Sequence, residues 1–305
     1  MKVIIEEYVE YVEHVKMLTK WTVKIYEKYL LRFNTYCESV WITDLSDITI
    51  RTITWFSKVT QNRKNKWSIY YHKWESTIDK NTVIYHLRCV RKFLERCRIC
   101  DIPTLHYKLV HIPKQDQKRI QSLSPDDLKL VLQAPFKYER FKFLQLRNYI
   151  LLCFWYYCWL RINETLSLDI NDIKWLDFVN VKGKWWHIGQ IMIHNVMKEP
   201  IREFLKLRVG KYSTQPLICS YKNKKAWERL EYDGVRAIVR KYNKHLWLKV
   251  RFHYHQLRHT LATTLATAGE QAFIIQKVMR HRCIKSTQVY PEIWQRLIKS
   301  VLVNI

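Results

Sequence analysis

Apolar residues recur at helical spacing in two stretches near the start of the chain. Val23, Tyr26, Leu30, Phe33 and Cys37 form one stripe, and Val83, Leu87, Val90, Leu94 and Cys97 form another. Each predicts an amphipathic helix. Between them, Leu45, Ile48 and the run Ile50 to Phe56 predict a further short helix, and Gln61 to Lys66 (QNRKNK) reads as a basic loop. With ordinary helix and loop lengths this region makes a bundle of about four helices. The pattern lapses over His111 to Gln121 (HIPKQDQKRIQ), which is polar, basic and without apolar period, as a linker is. Ser124-Pro125-Asp126-Asp127 then starts a helix, with Ser at the N-cap, Pro at the first position and acids in the first turn.

Phe141 to Leu160 is apolar on nearly every side and predicts a buried core helix. After Arg161 the period changes. Phe178 to Val181, the turn Lys182-Gly183-Lys184, and Trp185 to Ile193 read as strand, tight turn, strand. Pro200 is read as opening a helix over Ile201 to Arg208, and the remainder as helical apart from a short apolar segment at Leu217-Ile218-Cys219. Beyond Tyr290, Ile293, Leu297 and Val301 place a last amphipathic helix after Pro291-Glu292. Only 5 Gly and 7 Pro punctuate the chain. The expected class is mainly α with a small antiparallel β-sheet. Its expected division is a helical domain over 1–108, a basic linker over 109–122 and a second domain over 123–305.

Charge narrows the function. The chain has 305 residues, 48% of them hydrophobic, and carries 53 Lys+Arg against 27 Asp+Glu, a formal net charge of +26. An excess of that size repels itself unless a polyanion neutralises it, and nucleic acid is the first partner to consider. A generally basic proteome and a membrane-surface protein are the alternatives. Among 8 Cys, only Cys97 and Cys100 form a C-x-x-C, and no second pair completes a zinc-finger spacing. Most of the others lie in apolar helical contexts as small hydrophobes, which suits a reducing compartment. The acidic, polar N-terminus has no signal-peptide pattern, and the longest apolar run, Tyr149 to Leu160, is too short to span a bilayer. A soluble, cytoplasmic, DNA-associated protein is expected.

The chemistry concentrates in HQLRHTLATTLATAGEQAFIIQKVMRHRCIKSTQVY, His255 to Tyr290. His255 and Arg258 share a helix face, His281 follows, and then Tyr290. Two imidazoles, a guanidinium and a phenol suit work on a phosphodiester: Arg holds phosphate oxygens, His moves protons, and Tyr attacks phosphorus. Upstream, Arg161 in CWLRINETLSL ends the apolar helix; it is either paired structurally with Glu164 or aimed at an anion. His253 and His259 read as structural.

Taken in order, L-R-x-x-E-x-L-x-L, a Lys in a hairpin turn, H-x-L-R-H-T-x-A, and a His before T-x-x-Y resemble the tyrosine recombinases, the phage-integrase and Xer-type site-specific recombinases. The resemblance covers nearly the whole chain, with Thr22 to Cys37 and Thr82 to Cys97 similar to two helices of a core-binding domain. It implies a two-domain DNA clamp whose second domain is catalytic. Arg161 and Arg258 would hold the scissile phosphate, Tyr290 would form a covalent 3′-phosphotyrosyl link, His255 would assist proton transfer and His281 would bond a phosphate oxygen. A hairpin Lys would protonate the 5′-oxygen: Lys184 is favoured, with Lys182 and Lys198 as alternatives. The link conserves the ester energy, so no cofactor, metal or ATP is implied.

The implied partners are double-stranded DNA with an inverted-repeat core site and further copies of the chain, a dimer on a site and a tetramer in a synapse, with the terminal helix docking onto a neighbour. No membrane and no small-molecule substrate is implied. Two positions depart from the pattern: Trp159 and Arg280 stand where many members have Gly, which allows turns that Trp and Arg disfavour. Arg280 is also a candidate DNA contact. A type IB topoisomerase-like enzyme and a catalytically silent DNA-binding descendant are the rival readings.

Overall fold

The structure, a computed structural model, describes residues 1–63, 78–115, 121–182, 188–208, 215–221 and 227–280. The chain divides into two compact units, Met1–Lys118 and Arg119–Ile305.

In the first unit, α1 (Lys2–Glu10) runs through a π-helical turn, Tyr11–Val15, towards α2 (Lys20–Ser39); α3 (Ile50–Asn62) and α4 (Lys80–Ile99) follow. The two stripes lie where their spacing places them: Leu30, Phe33 and Cys37 of α2 and Val90, Phe93 and Leu94 of α4 are fully or almost fully buried. Phe33 meets Phe56 of α3 edge-on at 5.0 Å, and Tyr8 of α1 meets Phe93 at 5.5 Å. Local chemistry starts each helix. The Thr19 side chain accepts the Thr22 amide, Thr49 and Thr52 cap reciprocally, and Asp79 accepts the Asn81 amide at 2.9 Å.

Two expectations are corrected here. Leu45 and Ile48 are buried in the turn before α3 rather than within a helix. The basic loop begins later than expected, because α3 continues through Asn62; Lys64 to Lys66 lie outside the described residues.

The second unit is built around α6 (Lys142–Tyr156), against which α5 (Pro125–Tyr138), α8 (Asn195–Lys206) and α10 (Tyr254–Ala268) pack. Ser124 caps α5, accepting the Asp127 amide at 3.1 Å. Ile150 to Trp155 are all 0% exposed, the all-round burial that an unbroken apolar run requires. Inside this apolar helix sits a polar network absent from the sequence expectations. Arg147 donates to Asn148 Oδ1 through Nε at 2.9 Å and Nη2 at 2.8 Å, and to the Cys219 carbonyl at 3.0 Å. Asn148 donates to the Tyr242 hydroxyl at 2.7 Å, which donates to Glu139 at 2.9 Å. Satisfied in this way, buried polar groups tie α6 to α9 (Tyr232–His245).

A short helix α7 (Ile162–Ser167) leads into an antiparallel sheet in the order β1 (Ile173–Lys174), β2 (Phe178–Lys182), β3 (Ile188–Met192). Val179 pairs with Ile191 and Lys182 with Ile188. Buried Val179 and Val181 alternate with outward Asn180 and Lys182. The helix expected from Pro200 onwards begins five residues earlier in the sequence, at Asn195, where the His194 ring accepts the Val196 amide at 3.3 Å. Pro200 therefore lies inside α8; it removes one helical hydrogen bond, that to the carbonyl of the half-exposed Val196. A last described helix, α11 (Ala272–Val278), follows α10 across Gly269, whose φ of 94° closes α10 in the left-handed region. The fold is thus mainly helical with one small antiparallel sheet. Among the described residues no helix is long and apolar enough to cross a membrane.

Candidate active site

Two backbone turns and two helix ends gather the site. After α6 the chain reverses at Trp159, whose φ is 44°, and Arg161 becomes the N-cap of α7. Glu164, in the first turn of α7, accepts the Arg161 amide at 2.8 Å, so it satisfies one of the helix's otherwise unpaired donors. The same carboxylate accepts Arg161 Nη1 at 3.0 Å. The opposite end of α7 is closed by Arg229, which donates to the Leu166 carbonyl at 2.6 Å and the Leu168 carbonyl at 3.0 Å.

Helix α10 brings His255 and Arg258 on one face, one turn apart. Its inward face is anchored: Thr260 accepts the Leu123 amide at 3.0 Å, and Gln256 donates to the Gln121 carbonyl at 2.9 Å. Upstream, Asn243 and Phe252 exchange two hydrogen bonds at 2.7 and 2.9 Å, which holds the approach to α10. Arg258 is 5% exposed. Its guanidinium donates to the Trp159 carbonyl through Nη1 and to the Met279 carbonyl through Nη2. One buried fork therefore grips both left-handed turns, since Met279 immediately precedes Arg280, whose φ is 49°. A buried guanidinium needs such acceptors, because without them its desolvation would not be offset.

Arg280 joins the same cluster. Its Nη2 reaches Glu164 at 2.5 Å and its carbonyl accepts Arg161 Nη2 at 3.4 Å. A Cβ on Gly189 of β3 would lie 3.6 Å from Arg280 Nη1, so this guanidinium also reaches the sheet. Both positions where the resemblance has Gly and this chain has a large residue thus adopt left-handed backbone. That conformation costs an L-residue roughly 1–2 kcal/mol and Gly almost nothing.

His255 presents an exposed edge, yet enough protein surrounds its ring to disfavour the cation. Desolvation is the largest cause, and the charges of His253, Arg258 and Arg161 add to it, so its pKa falls below the ordinary histidine value. Arg258, through the Trp159 and Met279 carbonyls, and Arg161, through the Arg280 carbonyl, are tied to the same turns, and His255 lies one helical turn before Arg258.

Lys182 ends β2, exposed. Lys198 is engaged with Asp177 at 2.5 Å. Lys184, His281, Tyr290 and the terminal amphipathic helix lie outside the described residues. So does Cys283; Cys37, Cys89, Cys97, Cys153, Cys158 and Cys219 are free and buried, with Cys100 exposed. Burial pushes the Cys37, Cys89, Cys97 and Cys158 thiols up to about 12, as expected of hydrophobe-like, unreactive cysteines. Sequence reasoning anticipated Glu164 as a partner of Arg161 and missed the Arg280–Glu164 pair. Its one signal was an Arg at a position where the family pattern has Gly.

The sequence model of the phage integrase family matches residues 121–295. The chain belongs to the phage integrase family. This family member is 24% identical over 295 residues to a tyrosine recombinase of Pseudothermotoga lettingae, covering 95% of this chain and 93% of the relative. It is 23% identical over 309 residues to tyrosine recombinase XerC of Bacillus subtilis, covering 100% and 96%. Among solved structures, it matches the XerH site-specific recombinase in a post-cleavage complex with palindromic difH substrate, with a TM-score of 0.70, 18% identity and coverage of 99% and 84%. It also matches a lambda integrase dimer bound to a COC′ core site, with a TM-score of 0.69, 16% identity and coverage of 95% and 94%. At these identities the structural likeness establishes the fold.

Proposed function

We propose that this phage integrase family member is a site-specific DNA recombinase that cuts and rejoins strands through a 3′-phosphotyrosyl intermediate. The observation that carries the reading is that Arg161 and Arg258 are tied to the same two turns, with His255 one helical turn before Arg258, in a chain that also has His281 and Tyr290 in family order. Arg161 and Arg258 form the phosphate clamp. The Arg161 guanidinium stays part-exposed; among the described residues Nη1 donates to Glu164 and Nη2 to the Arg280 carbonyl, and the fork retains donors for an oxyanion. Arg258, held by two carbonyls, brings a fixed charge into a poorly solvated site, where preorganised charge stabilises a pentavalent phosphorane.

Tyr290 Oη attacks phosphorus and the bond to the 5′-oxygen breaks. The phenolic proton leaves towards His255, whose depressed pKa keeps it neutral and able to accept near pH 7. Lys184 in the hairpin turn gives the departing 5′-oxygen its proton, and His281 bonds a phosphate oxygen. Attack by a 5′-hydroxyl of a second strand reverses the steps and frees Tyr290. Ester exchange is close to balanced, so the scheme consumes no ATP. The core-binding unit spans 1–108 and the catalytic unit 123–305. Double-stranded DNA is the substrate, and pairs of protomers on inverted repeats assemble into a tetrameric synapse.

The test is covalent trapping. Nicked duplexes with a randomised core, incubated with protein and resolved under denaturing conditions, are expected to yield a protein–DNA adduct with wild type and none with Tyr290→Phe. Adducts at equal yield from both would sink the assignment of Tyr290. Salt-sensitive binding without any adduct would favour the silent DNA-binding reading.

A further inference from the structure

The Arg280 guanidinium lies where three parts of the site meet. It pairs with Glu164 of α7 at 2.5 Å, comes within van der Waals distance of a Cβ placed on Gly189 of β3, and belongs to the turn that leads from α11 to His281. Its side chain is only 25% exposed, and its buried Nε has no partner among the described residues. The group is thus held in the protein rather than extended into solvent, at the cost of a left-handed backbone that Gly would adopt freely. Something must offset that strain.

Glu164 supplies the reason. Its carboxylate lies 3.0 Å from Arg161 and, alone, would cancel much of the positive field that Arg161 offers a phosphate. Glu164 cannot simply be dispensed with, because it also accepts the Arg161 amide at the start of α7. A second guanidinium on Glu164 Oε2 restores the positive balance. It also fixes the carboxylate, and with it the Arg161 side chain, whose other nitrogen rests on the Arg280 carbonyl.

We propose that Arg280 is a positioning residue of the strand-transfer site: it neutralises and immobilises Glu164 so that Arg161 is held, fully charged, for the scissile phosphate. The inference rests on the recombinase reading above. Gly would take this turn without strain, whereas Arg280 takes it at a cost and adds a third cation. Arg280 acts through Glu164 and need not touch DNA.

The test uses full-length protein and single-turnover adduct formation on a trapped nicked duplex. Arg280→Gly removes the backbone strain and the Glu164 ion pair together, two opposing effects, so its melting temperature should stay close to that of wild type; cleavage is compared at a temperature where both are folded. Cleavage should nonetheless slow by roughly tenfold or more, the scale expected when a clamping group loses its position. Arg280→Lys, which keeps charge without the fork, should recover part of the loss. The decisive comparison repeats Arg280→Gly on Glu164→Gln, where no carboxylate charge needs neutralising but the helix cap survives. There the further loss should be under about threefold, because residues acting through one another are non-additive.

A wild-type rate in Arg280→Gly would overturn the proposal, as would an equal tenfold loss in both backgrounds. Failure of wild type itself to form any adduct would overturn the recombinase reading and this inference together. A normal wild type with an indifferent Arg280→Gly overturns the inference alone.

Discussion

The residues that define this site are held mostly by backbone. Arg258 is oriented by two carbonyls and Arg161 by the Arg280 carbonyl, while Glu164 is shared by an amide and two guanidinium groups. The arrangement has an electrostatic consequence at His255, whose protonated form is opposed first by desolvation and then by His253, Arg258 and Arg161. In an NMR titration its midpoint should fall below the ordinary value of about 6.5. Removing the Arg161 charge, as Arg161→Gln, removes one of the opposing charges, so the midpoint should move up towards that value. A midpoint that stays put, or moves down, would show that Arg161 does not face the ring.

From sequence, the order of Arg161, His255 and Arg258 was legible because their chemistry fixes residue type and their helices fix spacing. The Arg280–Glu164 pair was not. It joins residues far apart in the chain through a side-chain direction that depends on a left-handed φ, and nothing in helical or strand periodicity encodes that.

At the level of elements, packing can turn a single buried group into a pH response. His86 of α4 is 1% exposed and stacks on Tyr29 of α2 at 3.9 Å. Desolvation, then the charges of Arg32, Arg63 and Lys28, lower its pKa from 6.5 to about 4. In the folded chain it stays neutral while the unfolded chain takes up a proton below about 6.5. Folding stability is therefore intact above that pH and falls as pH drops towards 4, by on the order of 3 kcal/mol in all. Urea midpoints measured from pH 7 to 5, above the range where most carboxylates titrate, should decline in wild type and decline less in His86→Phe. Equal slopes would mean the imidazole is not buried against α2.

The elements themselves were unevenly legible. α2 and α4 follow from their stripes because their partners cover a single face. α1 escaped notice because Glu6, Glu7 and Glu10 interrupt its apolar residues, and its burial of Ile5 and Tyr8 is a tertiary fact. α8 was placed too late because a proline usually marks a helix start, whereas here His194 supplies the cap upstream and the helix tolerates Pro200. β1, two residues long, is too short to carry a period.

For the whole molecule the dominant quantity is charge. A net +26 acts in opposite directions on the free and DNA-bound protein. Free, the chain repels itself, and the acids that relieve it are few; several are already committed locally, as Glu164 is to Arg161 and Arg280, and Asp177 to Lys198. Added salt screens that repulsion, since the Debye length shrinks from about 10 Å at 0.1 M to about 3 Å at 1 M. Bound to DNA, each Lys or Arg on a phosphate releases counterions, and added salt reverses that release. Raising NaCl from 0.05 to 0.5 M should therefore raise the melting temperature of the free protein while it weakens duplex binding. The plot of log affinity against log salt should have a slope of roughly −5 or steeper, at about −0.9 per phosphate contact. A shallow slope would mean that few phosphates are engaged and that the excess charge serves another partner. A melting temperature that falls with salt would mean the positive charges are already compensated within the fold. The two measurements share one cause and must move oppositely, so a common sign would refute the electrostatic account whatever the absolute affinities.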